Sequence, residues 1–368
     1  MLLIIMMTAL GVDTAVADAA VTKTAFGKLP DGTTAEIYTL KNEEIEVRIA
    51  NYGARIVAIE TKDRDGKMGD VVLGYDSVEG YVAEEASKTY VGAIVGRYGN
   101  RIRNGKFTID GHEYQIPLNN GANALHGGPH GFDDQIWAVK ELADGVEMTL
   151  VSKDGDMGFP GTLTLHVRYT LVGSALHINY AATTDKTTVV NVTNHAYFNL
   201  AGDGSGPILP EAMQINADEY TPVDAGLIPV GGAKPVAGTP FDFNKPTVIG
   251  ERINQTNEQL KFGGGYDHNW ILRGKNGEMK VAARVYDPKS GRVLTESTTE
   301  PGVQFYSGNA IPGLYKGKTG VVYGKYAGFC LETQHYPDSP NQPAFPSTLL
   351  KPGVTMRSET VYAFSVRK

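Results

Sequence analysis

The chain has 368 residues and a net charge of −7, with both signs mixed along its length. It has no basic or basic-aromatic stretch of the kind that binds nucleic acid. One cysteine, Cys330, excludes an intramolecular disulfide and any cysteine-rich metal centre, while 44 glycines and 19 prolines demand many turns, hence short strands rather than long helices.

The first block, MLLIIMMTAL, is apolar and is followed by AVADAA, with A-x-A spacings at Ala15–Ala17 and Ala17–Ala19. This predicts a secretory signal over 1–19 and a periplasmic or secreted protein; a leader without a targeting role would leave it in the cytoplasm. The block is too short to span a bilayer. No later segment is long and apolar enough to do so, so no membrane partner is expected for the mature form.

From residue 24 the pattern is mostly of period two, and 24–368 reads as one domain without linker or repeat. EIEVRIANYG is the first clear strand. TLTLHVRYTL sets Leu163, Leu165, Val167 and Tyr169 on one face and His166 and Arg168 on the other. LHINYAATT turns Leu176, Ile178 and Tyr180 inward and His177 outward. A short helix is predicted over 247–260, TVIGERINQTNEQL, followed by strands at VAARVYD and VQFYSG. The fold class is therefore all-β: a large antiparallel β-sandwich with few short helices.

Five stretches place polar groups where a bland sandwich has no need of them. They are GRYGNRIRNGKF with Asn100 and Arg101, NALHGGPHGF with His126 and His130, TNHAYFNL with His195, GYDHNW with Asp267 and His268, and FCLETQHYPDSPN with Glu332. Each has an ordinary reading. Arg101 can cover apolar surface with its stem, His126 can be a turn residue, Asp267 can brace a turn, and His268 and His335 read as loop histidines. Cys330, in an apolar run, reads as an inert buried thiol. Glu332 resists such a reading, because a carboxylate after Phe329, Cys330 and Leu331 risks burial, which is costly unless the charge is paired.

Other chemistries lack their signatures. His126 and His130 are spaced H-x₃-H, but in a Gly-Pro loop, and there is no H-E-x-x-H, so no metal is expected. No nucleophile elbow and no phosphate loop occur. No cofactor is implied. The remaining histidine, carboxylates, arginine and amides suit a neutral, hydroxyl-rich ligand such as a sugar, and His with Glu can perform acid–base work near neutral pH.

Taken in order, GRYGNRI, NALHGG, NVTNHAYFNL, GYDHNW and CLETQHYPDSPN, with PVAGTPFDF at 235–243, resemble the aldose 1-epimerase (galactose mutarotase) family over about 24–368. The resemblance implies a β-supersandwich and interconversion of the α and β anomers of free hexoses, glucose or galactose. It implies His195 as general acid and Glu332 as general base, with Asn100, Arg101, His126, Tyr197, Asp267 and Gln304 holding sugar hydroxyls or supporting that pair. Its partner is then a small-molecule sugar, with the protein a monomer or dimer. Three alternatives stay open: a non-catalytic sugar-binding sandwich, a glycoside hydrolase using Asp267 and Glu332, and an epimerase of hexose phosphates.

Overall fold

The computed structural model describes residues 19–368. The expected signal over 1–19 lies almost wholly outside them. The first strand, Ala20–Lys28, begins four residues before the expected domain boundary and pairs with Thr34–Lys41. Among the described residues no helix is long and apolar enough to cross a membrane.

Three antiparallel sheets make the body. The strands Ala20–Lys28, Thr34–Lys41, Ile45–Ala50, Arg55–Lys62 and Met68–Asp70 form a five-stranded N-terminal sheet in chain order. A nine-stranded sheet runs through Gly145–Ser152, Leu163–Val172, Ala175–Thr184, Met356–Val366, Arg292–Thr298 and Lys280–Tyr286. A second five-stranded sheet contains Ala217–Thr221, Asp267–Leu272, Gly302–Tyr306 and Cys330–Gln334.

The period-two reading holds in detail. Leu163, Leu165, Val167 and Tyr169 are all 0 % exposed, whereas Arg168 is exposed. Such alternation follows from successive side chains pointing to opposite faces. Each large apolar side chain so buried contributes roughly 1.5–3 kcal/mol. Ile45, Val47 and Ile49 of the N-terminal sheet join the same apolar cluster, as do Trp270, Phe305 and Leu331 of the second five-stranded sheet. Polar ties fix the layers. Tyr169 Oη donates to the Ala54 carbonyl at 2.7 Å, and Thr333 and Thr360 share a hydroxyl–hydroxyl bond of 2.6 Å.

The helix expected over 247–260 is broken. Thr247–Val248 is a strand, Ile249–Arg252 a single helical turn, and Glu258–Gly263 a separate short helix. Asn257 starts that helix, its side chain accepting from Gln259 N and Leu260 N. An Asn side chain that can take backbone donors favours a cap over a helix interior. His268, expected in a loop, is fully buried inside the strand Asp267–Leu272 with its ring 4.7 Å from that of Phe241.

Candidate active site

Cross-strand register assembles the acidic half of the site. In the second five-stranded sheet Asn269 lies opposite Gln304, and Gln304 opposite Glu332. Asp267 lies opposite Tyr306, and Tyr306 opposite Cys330. All six therefore share one face. Phe305 and Leu331 point the other way into the core, where both are buried. The apolar flanks of Glu332 thus anchor the strand that presents it.

The histidine half comes from a segment with little strand of its own. Thr193–Asn194 pairs with Ile94–Val95, and His195 N donates to the Ala93 carbonyl at 2.8 Å. The asparagines of the motif are scaffolding. Asn194 Nδ2 donates to the Gly92 carbonyl, and Asn199 Nδ2 to the carbonyls of Gly206 and Ala327. Asn191 bonds both the N–H and the C=O of His335. It thereby pins the chain just beyond the Glu332 strand to the histidine segment. His195 Nε2 ends 3.8 Å from Glu332 Oε1.

His126 and Asn100 meet head to head. His126 N donates to the Asn100 carbonyl at 3.1 Å, and Asn100 N donates to His126 Nδ1 at 3.1 Å. Both residues have positive φ, +50° for His126 and +64° for Asn100. Gly127 follows at φ +91°, where a Cβ would collide with the Gly96 carbonyl. That collision is why the motif needs glycine there. Because Nδ1 accepts, the ring proton of neutral His126 sits on Nε2, which makes it a donor. His130 is on the surface with Nδ1 2.9 Å from Asp134, so the H-x₃-H spacing brings no pair of ligands together.

His126, His195 and Glu332 each offer an atom within 4.8 Å of the others. That spacing alone would suit a metal. The Asn100 N–H on His126 Nδ1 leaves a proton, not a lone pair, on the other nitrogen, so the trio fits hydroxyl groups better than a cation.

Arg101 Nη2 lies 3.6 Å from Asp267 Oδ2, and its Nε donates to Asn120 Oδ1 at 3.0 Å. Gln304 does not line the pocket; its Nε2 donates to Asp267 Oδ1 at 2.7 Å, so it steadies Asp267 from below. Tyr197 lines the pocket with its ring 5.1 Å from that of His195 and its hydroxyl bonded to the Thr89 carbonyl. All the expected residues thus converge, seven on the pocket and Gln304 behind it. The sequence reading did not single out Asn120, and it took Cys330 for an inert thiol, whereas its Sγ is 3.5 Å from His195 Nδ1. The paired amides in PLNNGANALHGG were the available signal for Asn120.

The cavity has a volume of about 410 Å³, within the range of about 300–1,000 Å³ usual for small-molecule sites. A more open hollow of about 550 Å³ beside Asn254, Asn257 and Lys261 contains no histidine and no paired acid and base. Burial governs the electrostatics. It pushes His195 down to about 4 and His126 well below the usual imidazole range. It pushes Glu332 well above the usual carboxylate range; the Asp267 charge adds to this and Arg101 opposes it. Both shifts favour the uncharged forms, a neutral imidazole beside a protonated carboxyl. Burial thus disfavours the imidazolium form of His195.

A buried imidazole facing a buried carboxyl, ringed by donors for hydroxyl groups, defines a sugar isomerase on a β-sandwich. Comparison with known proteins agrees. Residues 36–363 match the aldose 1-epimerase family. Galactose mutarotase of Rattus norvegicus is 48 % identical over 348 residues, 94 % of this chain and 99 % of that protein. Aldose 1-epimerase of Escherichia coli strain K12 is 40 % identical over 340 residues, 91 % of this chain and 96 % of that one. The crystal structure of galactose 1-epimerase from Lactobacillus acidophilus NCFM superposes with a TM-score of 0.81 at 31 % identity, covering 95 % of this chain and all of that one. The chain belongs to the aldose 1-epimerase family, and its reaction is the interconversion of sugar anomers.

Proposed function

We propose that the substrates are free hexoses, glucose and galactose, and that Glu332 and His195 open and close the ring as base and acid. The observation that carries the assignment is the 3.8 Å approach of His195 Nε2 to Glu332 Oε1 inside the sugar-sized cavity. In ring opening, carboxylate Glu332 takes the proton of the anomeric hydroxyl while His195 gives one to the ring oxygen. The aldehyde rotates about its C1–C2 bond. On closure protonated Glu332 returns its proton to the carbonyl oxygen and neutral His195 takes one from the attacking hydroxyl. The resting form of the pair is the one that ring opening produces and closure consumes. When the pocket fills, sugar hydroxyls and the Arg101 guanidinium stabilise the carboxylate, and the proton of Glu332 passes to His195 Nε2, giving the carboxylate–imidazolium pair that ring opening uses. Each positioned group supplies on the order of 10²–10⁴ in rate.

His126 Nε2–H, the Arg101 guanidinium and Asp267 hold the remaining hydroxyls, so that only the anomeric end turns. A hexose phosphate suits the pocket less well. Its only lysine and arginine, Lys88 and Arg101, already face Glu85 at 3.2 Å and Asp267 at 3.6 Å. Polarimetry of freshly dissolved α-D-glucose and α-D-galactose tests the reading. Binding of either sugar without faster mutarotation would overturn it in favour of a pure binder, and release of sugar from aryl glycosides would favour a hydrolase. We further propose export to the periplasm or medium with loss of residues 1–19, supported by the apolar block and A-x-A spacings. N-terminal sequencing of the mature protein that begins at Met1 would overturn it.

A further inference from the structure

The acid–base pair uses His195 Nε2. The other ring nitrogen, Nδ1, meets the sulfur of Cys330 at 3.5 Å. Cys330 is fully buried two residues before Glu332 on the same strand face, opposite Tyr306. One short strand therefore presents both the carboxyl that faces Nε2 and the thiol that faces Nδ1.

We propose that Cys330 is a positioning residue: its sulfur accepts the Nδ1–H of His195, holding the exchangeable site on Nε2 without stabilising the imidazolium. The inference rests on the acid–base role given to His195 above. Catalytic and metal-binding histidines commonly give their second N–H to a carboxylate or carbonyl, which makes the ring more basic. Sulfur is a weak acceptor. It fixes the ring plane yet leaves the cation poorly stabilised. A poorly stabilised imidazolium is a strong proton donor, as the weakly basic ring oxygen of a sugar requires.

The surroundings of the ring fit this role. Glu332 is on the Nε2 side. The rings of His126, Tyr197, Tyr90 and Tyr306 lie 5.1–6.4 Å from it by centroid. The Arg55 charge further disfavours the cation. Among the described residues no carboxylate and no carbonyl of another residue bonds Nδ1; the backbone of His195 itself raises the ring's pKa and offsets part of the effect of burial. Burial also pushes the Cys330 thiol upward, so the sulfur stays neutral.

The test compares full-length wild type with Cys330→Ala and Cys330→Ser by polarimetry across pH. Cys330→Ala should lower kcat about tenfold with KM within twofold. Cys330→Ser, which restores a better acceptor, should recover most of kcat and move the acid limb of its pH profile to higher pH. A loss of packing alone would lower Tm and leave the acid limb in place. If Cys330→Ala keeps kcat within twofold, or if neither variant moves the acid limb, the inference fails. ¹⁵N NMR of the wild type gives a variant-free check: neutral His195 should carry its proton on Nδ1, and a proton on Nε2 overturns the assignment. A wild type without mutarotase activity would instead sink the functional reading itself.

Discussion

Gln304 Nε2 donates to Asp267 Oδ1 at 2.7 Å across neighbouring strands, while its backbone sits opposite that of Glu332. The residue thus reaches the sugar only through Asp267. Gln304→Leu should leave Asp267 without its brace and beside the buried Glu332. We expect kcat/KM to fall about tenfold, or about 1.4 kcal/mol, mostly through KM. Steady-state polarimetry checks this; a fall in kcat alone, with KM unchanged, would mean that Gln304 acts on the chemistry instead.

The two members of the pair act as a unit. Glu332→Gln and His195→Asn should each lower kcat by about 10²–10⁴ with little change in Tm, since each replacement is neutral and close in shape. The double variant should be scarcely worse than the poorer single one, because the second group has no partner left. Additive losses would show that the two work independently.

The pH–rate profile follows from the shared proton. A second proton enters the pair as His195 titrates, near pH 4, well below an ordinary imidazole. The last proton leaves as Glu332 ionises, above the usual carboxylate range. Anomer interconversion should therefore hold a plateau with its acid limb near pH 4. An acid limb near pH 6.5, measured as kcat/KM, would place His195 in water or against a stabilising charge.

Stability should respond to pH from both directions. His195 and His268 are pushed down to about 4 and about 3 by burial, so the unfolded chain binds more protons than the folded one below about 6.5. Stability is lost as pH falls through that window. Glu296 is the opposite case. It is 0 % exposed, neither oxygen has a partner among the described residues, and burial pushes its carboxyl well above the usual carboxylate range, which favours the protonated form. The unfolded chain releases that proton above about 4.5, so stability is lost as pH rises past it. Glu296→Gln, which keeps the shape without the acid, should raise Tm at pH 8 and change it little at pH 4. Thermal melts at both values decide the point; equal shifts at both would remove the ionisation argument.

Much of the scaffold was legible before any tertiary information. The inward faces of 163–169 and 176–180 followed from a period of two, because alternation is a property of each strand alone. The expected helix at 247–260 was not so readable. Its apolar positions, Ile249, Ile253 and Leu260, all join the main apolar cluster, but Asn257 starts a new helix between them with its cap.

His195 and Glu332 were nameable from ordered motifs, and the sequence by itself also determined the all-β class and the group of residues that would gather. Only the tertiary structure decided what each one touches. The register of Asp267–Leu272, Gly302–Tyr306 and Cys330–Gln334 put Gln304 behind Asp267 and Cys330 beneath His195, and buried His268 in a strand. It also decided which way burial moves the pKa of each member of the pair. A pKa depends on how much water is excluded around a group and on which charges close in through space, and neither is carried by the neighbours of a residue along the chain.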